Sequence, residues 1–283
     1  MLPINTEPNK HSARPYSAMS HPTQTKLPER SKSIDLATQG MNYLRTKRTA
    51  TYLEPNDLAK LKVECTEIDF DTGISNDEGP KVLDLRSFDE MDAFAKANNL
   101  INNPNVGCLG EYSPGNWYAA NYLGEFFVGL VDLEPQADQP TLLKLHPWNI
   151  SRRNCYGDVR DIIYWRIIFH IRLPNGSRPC TVSFLANEGP LQDDKLLLSE
   201  VFSILLRGNH ELKLEKNCKY QIAPVTVVSA SGRRVRIVQG YADGSKDRIV
   251  MRKSRIIDVD GEKEQNLQGL MRLACWVFGS PLN

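Results

Sequence analysis

From Ile162 to Arg172 a wholly apolar set, Ile163, Trp165, Ile167, Phe169 and Ile171, alternates with a mixed one, Ile162, Tyr164, Arg166, Ile168, His170 and Arg172. A period of two belongs to a strand, because successive side chains leave opposite faces of a pleated backbone. It predicts Trp165, Ile167 and Phe169 facing inward and Arg166 outward. Pro174 to Ser177 supplies a turn, and Cys180 to Leu185 returns as the partner strand. Pro190 then opens a helix with Asp193 and Asp194 in its first turn. Leu197, Val201, Ile204 and Leu205 form its apolar stripe and Gly208 its stop. Strands are expected near 220–229, 233–241 and 247–258, with Ser231-Gly232 and Asp243-Gly244 at the turns. Leu267, Leu270, Met271, Ala274, Val277 and Phe278 mark a last amphipathic helix, closed by Gly279 and Pro281. The order β–β–α–β–β–β–α over residues 151–283 predicts an α+β fold, a bent sheet or small barrel closed by helices.

Upstream the pattern is more mixed. Leu61 to Ile68 alternates as a half-buried strand, and Lys81 to Arg86 offers another short one. Ser87 and Glu90 have the spacing of a capping box, and Met91, Phe94 and Ala95 continue at helical intervals, so 88–99 reads as a helix. Trp117 to Leu130 is ambiguous: Tyr118, Tyr122 and Phe126 recur every fourth residue, while Gly124 and Gly129 weaken a helix. Asp132 to Pro140 reads as a loop.

Charge divides the 283 residues into three unequal parts. Residues 1–50 hold eight Lys or Arg against three acids, with five prolines and little apolar periodicity, so they read as a flexible basic tail. Residues 51–150 hold six basic and seventeen acidic side chains, an acidic mixed α+β region. Residues 151–283 form the β-rich part with two helices, either as its own domain or as one domain with 51–150. The whole chain sums to +1, so no global field draws it to a polyanion, and its 41% apolar content is enough for a core.

Catalytic motifs are sparse. Neither glycine-rich phosphate loop occurs, nor G-x-S-x-G, nor a His or Cys spacing that suits zinc. The six scattered cysteines read as reduced thiols of an intracellular, soluble and most simply cytoplasmic protein. No segment reads as a secretory signal or a membrane span. Asp193-Asp194-Lys195 and Glu211-Leu212-Lys213 match the acid-x-Lys spacing of metal-dependent nucleases. With 34 acids and sixteen lysines, about two such matches arise by chance. No catalytic residue, metal ligand or cofactor is therefore assigned.

One cluster stands out from that filter. Residues 230–257 carry Arg233, Arg234, Arg236, Lys246, Arg248, Arg252, Lys253 and Arg255 against Asp243 and Asp247. Tyr164, Arg166 and Arg172 add an aromatic ring and two guanidinium groups from a neighbouring strand. Cations for phosphates and rings for stacking are what single-stranded nucleic acid requires. The leading expectation is a non-enzymatic nucleic-acid-binding protein, with Arg234, Arg236 and Arg252 exposed and close together, working within a larger assembly. The alternatives are a scaffold subunit whose acidic and basic surfaces meet protein partners or further copies of itself, and a metal-dependent phosphodiesterase. Against all of them stands internal pairing, in which the acidic 51–150 region neutralises the basic sheet within one chain. No membrane partner is expected.

Overall fold

A strand covered on both faces needs small or apolar side chains at consecutive positions, not only at alternate ones. Val225 to Ser231 is such a segment, and all seven of its residues are buried. The computed structural model describes residues 28–47, 49–102, 115–132, 149–151, 155–156, 165–172 and 178–282. Its helices are α1 (Pro28–Thr46), α2 (Pro55–Lys60), α3 (Phe88–Ala97), α4 (Asn116–Asp132), α5 (Leu198–Lys213) and α6 (Lys263–Val277). Its strands are β1 (Val63–Glu67), β2 (Leu83–Asp84), β3 (Asn149–Ser151), β4 (Cys155–Tyr156), β5 (Trp165–Arg172) and β6 (Thr181–Asn187). They continue with β7 (Val225–Ser231), β8 (Arg234–Asp243), β9 (Arg248–Lys253), β10 (Ile257–Asp258) and β11 (Ser280–Pro281).

The main sheet runs β1-β9-β8-β7-β6-β5-β3, with β10 beside β8 and β4 beside β5. It is mixed: β6 lies parallel to β7 and β1 parallel to β9, the other pairs being antiparallel. The class is α+β. The sheet is open, with β1 and β3 at its edges, so it does not close into the small barrel that strand count allowed. Helix α5 is the crossover that the parallel β6–β7 pair requires.

Both faces are covered. Helices α1 and α5 bury Leu36, Met41, Leu44, Val201, Ile204 and Leu205 against one face. Helices α3, α4 and α6 bury Met91, Phe94, Leu123, Phe127, Leu270 and Trp276 against the other. Strands β2 and β11 make a separate two-stranded sheet.

Several expectations need correcting. Residues 28–46 belong to the body and not to a tail, since α1 packs its Leu36, Ala37, Met41 and Leu44 into the core. Pro28 opens the helix, Glu29 suits the positive end of its dipole and Arg45 the negative end. Residues 1–27 of the expected tail lie outside the described residues. Helix α5 begins at Leu198, so Asp193 and Asp194 precede it, and it runs through Gly208 to Lys213. Gly208 is there for contact, not termination: a Cβ would stand 3.0 Å from the carbonyl oxygen of Ala223. Trp117 to Leu130 is helical within α4 because Gly124 lets the helix approach the sheet. A Cβ on Gly124 would stand 3.0 Å from Ile168 and Phe184. Finally, β5 carries a bulge between Ile167 and Phe169. Ile167 joins the α1/α5 face while Phe169 and Ile171 join the opposite one, so the single inward row is broken in two.

Candidate functional site

The β8–β9 register decides where the candidate cations point. Gln239 pairs with Arg252 and Val238 with Lys253, so Arg252 lies on the sheet face opposite Arg236. Arg236 has no exposed surface and grips Glu200 of α5, equally buried, through Nε to Oε1 (2.8 Å) and Nη2 to Oε2 (2.6 Å). It also donates to the carbonyls of Gln192 and Lys195, at 2.6 and 2.8 Å. Burial works against the Arg236 cation, and the Glu200 charge more than restores it. Arg252 is 2% exposed and donates from Nε and Nη2 to both carboxylate oxygens of Asp77, at 2.7 and 2.6 Å. Its Nη1 reaches the Pro80 carbonyl, and its guanidinium lies 5.9 Å from the Tyr241 ring centroid. Burial tends to raise the Asp77 carboxyl. The Arg252 and Gly79 hydrogen bonds overcome it and hold the group at about 2.

These two arginines are therefore neither exposed nor adjacent, which corrects the expected three-arginine patch. Most of the remaining candidates are also engaged. Arg248 pairs with Glu64, Arg233 with Asp260, Arg255 with Asp71 at 3.0 Å and Arg172 with Glu211 at 2.7 Å. Lys253 donates to the carbonyl of Asp193. Arg166 is half-buried, and Tyr164 lies outside the described residues. Exposed Arg234 donates to the Leu191 carbonyl at 3.1 Å, while Lys246 stands exposed in the β8–β9 turn. Three of the acids in these pairs, Glu64, Asp71 and Asp77, come from the acidic 51–150 region. Charges complementary in sequence meet within one chain.

The acid-x-Lys doublets do not converge either. Asp193 precedes α5 and Glu211 sits in its last turn, about 20 Å along the helix. Among the described residues no cluster of His, Cys, Asp or Glu is arranged to hold a metal ion. Burial pushes the Cys180 thiol up to about 12 and the Cys275 thiol up to about 11, so neither is a thiolate near neutral pH.

What the fold does build is a cleft of about 620 Å³ where β1 and β9 end side by side. Its lining includes Glu67, Phe70, Ile74, Asp193, Lys253 and Arg255. Strands β1, β6, β7 and β9 all point the same way, and the cleft lies at their carboxyl ends, where α/β sheets commonly open their binding crevices. The loop after β1 forms one wall. Asp69 turns it by accepting from Thr72 N and Oγ1 at 2.8 and 2.7 Å, and the Asp77–Arg252 pair ties it to the sheet. Trp276 anchors it from α6 by donating Nε1 to the Phe70 carbonyl at 2.8 Å. Arg255 lies 5.6 Å from the Phe70 ring centroid, and Ile74 is 61% exposed. Lys253 and Arg255 were candidates from the sequence. Glu67, Phe70 and Ile74 were not, since nothing in their spacing announces a partner strand 186 positions further on. No helix among the described residues is long and apolar enough to cross a membrane. Comparison with protein-family models, curated proteins and solved structures finds no match.

Proposed function

We propose that this chain is a non-enzymatic binding protein, a subunit of a protein assembly that takes a polypeptide segment of its partner into the cleft at the ends of β1 and β9. The chemistry of that cleft carries the reading. Its volume falls within the range of about 300–1,000 Å³ usual for ligand sites. It offers apolar contact through exposed Ile74, with Glu67 and Asp193 set against Lys253 and Arg255. Balanced charge around apolar surface suits a polypeptide, which carries both signs and apolar side chains. A phosphate backbone needs an excess of available cations.

Binding to a displayed peptide library tests this. Selected peptides are expected to lose binding when Ile74→Asp or Arg255→Glu is introduced, with the fold intact because both positions are exposed. Peptide binding that survives both changes removes the cleft as the site.

Nucleic-acid contact is the second reading, favoured by the exposure of Arg234, Lys246 and Arg255. Arg234 and Lys246 flank opposite ends of β8, roughly 30 Å apart at the strand rise, so a strand would have to cross the sheet to touch both. A gel shift with single- and double-stranded oligonucleotides across salt separates the two. Replacing these three cations by Gln lowers the slope of log affinity against log salt by about two to three if this reading holds.

A further inference from the structure

Building on the cleft reading above and depending on it, we infer that the segment entering the cleft is basic, and that it adds as an extended strand to the free edge of β1. Glu67 is both the last residue of β1 and part of the cleft lining, so strand edge and cleft are continuous. β1 ends the main sheet, with β9 on one side and no strand among the described residues on the other.

The backbone bonds to β9 fix which groups point outward. Ile249 N donates to the Lys62 carbonyl at 2.9 Å, and Ile68 N donates to the Lys253 carbonyl at 3.1 Å. In a parallel pair such bonds engage every second residue, so Glu64 and Thr66 turn their backbone groups toward β9. Val63, Cys65 and Glu67 turn theirs to the open edge. The loop after β1 takes up the last of these, since Ser75 Oγ donates to the Glu67 carbonyl at 3.2 Å. Val63 and Cys65 face no backbone partner there among the described residues, and Cys65 is exposed. Outward amides and carbonyls of this kind are what an extended peptide completes, main-chain bonds giving affinity and side chains giving choice.

Charge decides which peptide. Lys62 is paired with Asp247 and Glu64 with Arg248, so the charges beside the open amides are already matched. Lys253, the register neighbour of Glu67, turns its ammonium to the Asp193 carbonyl. Arg255 is matched by Asp71 and lies over the Phe70 ring, which makes it a post of the cleft wall. Exposed Glu67 and Asp193 enter no ion pair among the described residues, Asp193 accepting from Ile256 N at 3.4 Å. Asp69 adds a third carboxylate to the lining. The unmatched charge of the cleft is therefore acidic, and Lys or Arg on the incoming strand is its complement. Exposed Ile74 beside these acids receives an apolar side chain of the same segment.

Fluorescence anisotropy on the full chain tests this, with peptides selected on the wild type from a displayed random library. Those that Ile74→Ser releases are cleft binders. They are expected to carry Lys or Arg in excess over the input library, and to lose binding when those residues are replaced by Glu. Glu67→Gln combined with Asp193→Asn is expected to bind them about tenfold more weakly at an unchanged melting temperature, since both positions are exposed. Methylating alternate backbone amides of a cleft binder should abolish binding in one register and spare it in the other, because an added strand faces β1 with every second amide. If Ile74→Ser releases no selected peptide, the cleft reading and this inference fall together. Cleft binders without a Lys or Arg excess, binders indifferent to loss of the two carboxylates, or equal effects of methylation in both registers overturn this inference alone.

Discussion

Arg236 and Glu200 both have no exposed surface, so each charge depends on the other for the solvation it lost on folding. Removing one partner leaves an uncompensated charge in the core. Arg236→Gln is expected to cost about 3–5 kcal/mol in a denaturant titration. Arg236→Met combined with Glu200→Gln should recover most of that loss, because the pair's own net contribution is small beside the cost of breaking it. Asp77 gives a pH signature. Its carboxyl titrates at 3.8 in the unfolded chain and about 2 in the folded one, so its stabilisation is complete above pH 3.8 and fades as pH falls toward 2. With its side chain 16% exposed, solvent screening leaves about 1–2 kcal/mol of this. Asp77→Asn should lose that amount at neutral pH, and the two proteins' stabilities should converge on acidification.

At the scale of elements, β5 shows how one inserted residue redirects a strand. The bulge at Ile168 leaves Phe169 2% exposed on the α4 side, stacked on Phe184 at 5.8 Å. Phe169→Ala is expected to cost about 3–5 kcal/mol, read from the shift of the denaturation midpoint. Helix α1 carries a similar weight. Leu44 has no exposed surface, and Leu44→Ala should cost about 2–5 kcal/mol, while a chain that begins at residue 47 should fail to fold cooperatively. Elements with strong local signals were legible in the sequence. The capping box predicted over Ser87 and Glu90 is present, with Glu90 N donating to Ser87 Oγ at 3.2 Å and α3 following it. Helix α1 escaped because Ser33, Ala37 and Gly40 carry much of its buried face, and small residues barely register in an apolar pattern. The start of α5 escaped because its N-terminal carboxylate is Glu200, which accepts from Leu197 N at 2.8 Å and is also the partner of Arg236. The bulge escaped because an unbroken alternation and one with an inserted isoleucine look alike where Ile167, Ile168 and Phe169 are all apolar.

Across the whole molecule, the opposed charges of 51–150 and 230–257 are largely an internal joint. Arg248–Glu64, Arg252–Asp77 and Arg255–Asp71 fasten β1 and the loop after it to β9 and the segment beyond. Charge segregation was visible in the sequence, but the pairing was not, because it depends on which distant strands become neighbours. Replacing exposed Arg234, Lys246 and Arg255 together by Gln should move the melting temperature by less than about 3 °C, while Arg236→Gln and Arg252→Gln should each lower it further, as calorimetry can show. The parallel seam between β1 and β9 also sets a timetable. Cys65 faces Met251 across it, 186 positions later in the chain. Synthesis at about 5–20 residues per second leaves β1 waiting roughly 10–40 s for its neighbour to be made. Contacts of such high sequence separation slow folding, so this seam closes only after β9 has been made. During that interval the nascent chain presents an unpaired strand to chaperones or to other chains, and Lys62 just before it, with Glu64 and Glu67 along it, are the charges that discourage it from pairing with the wrong one.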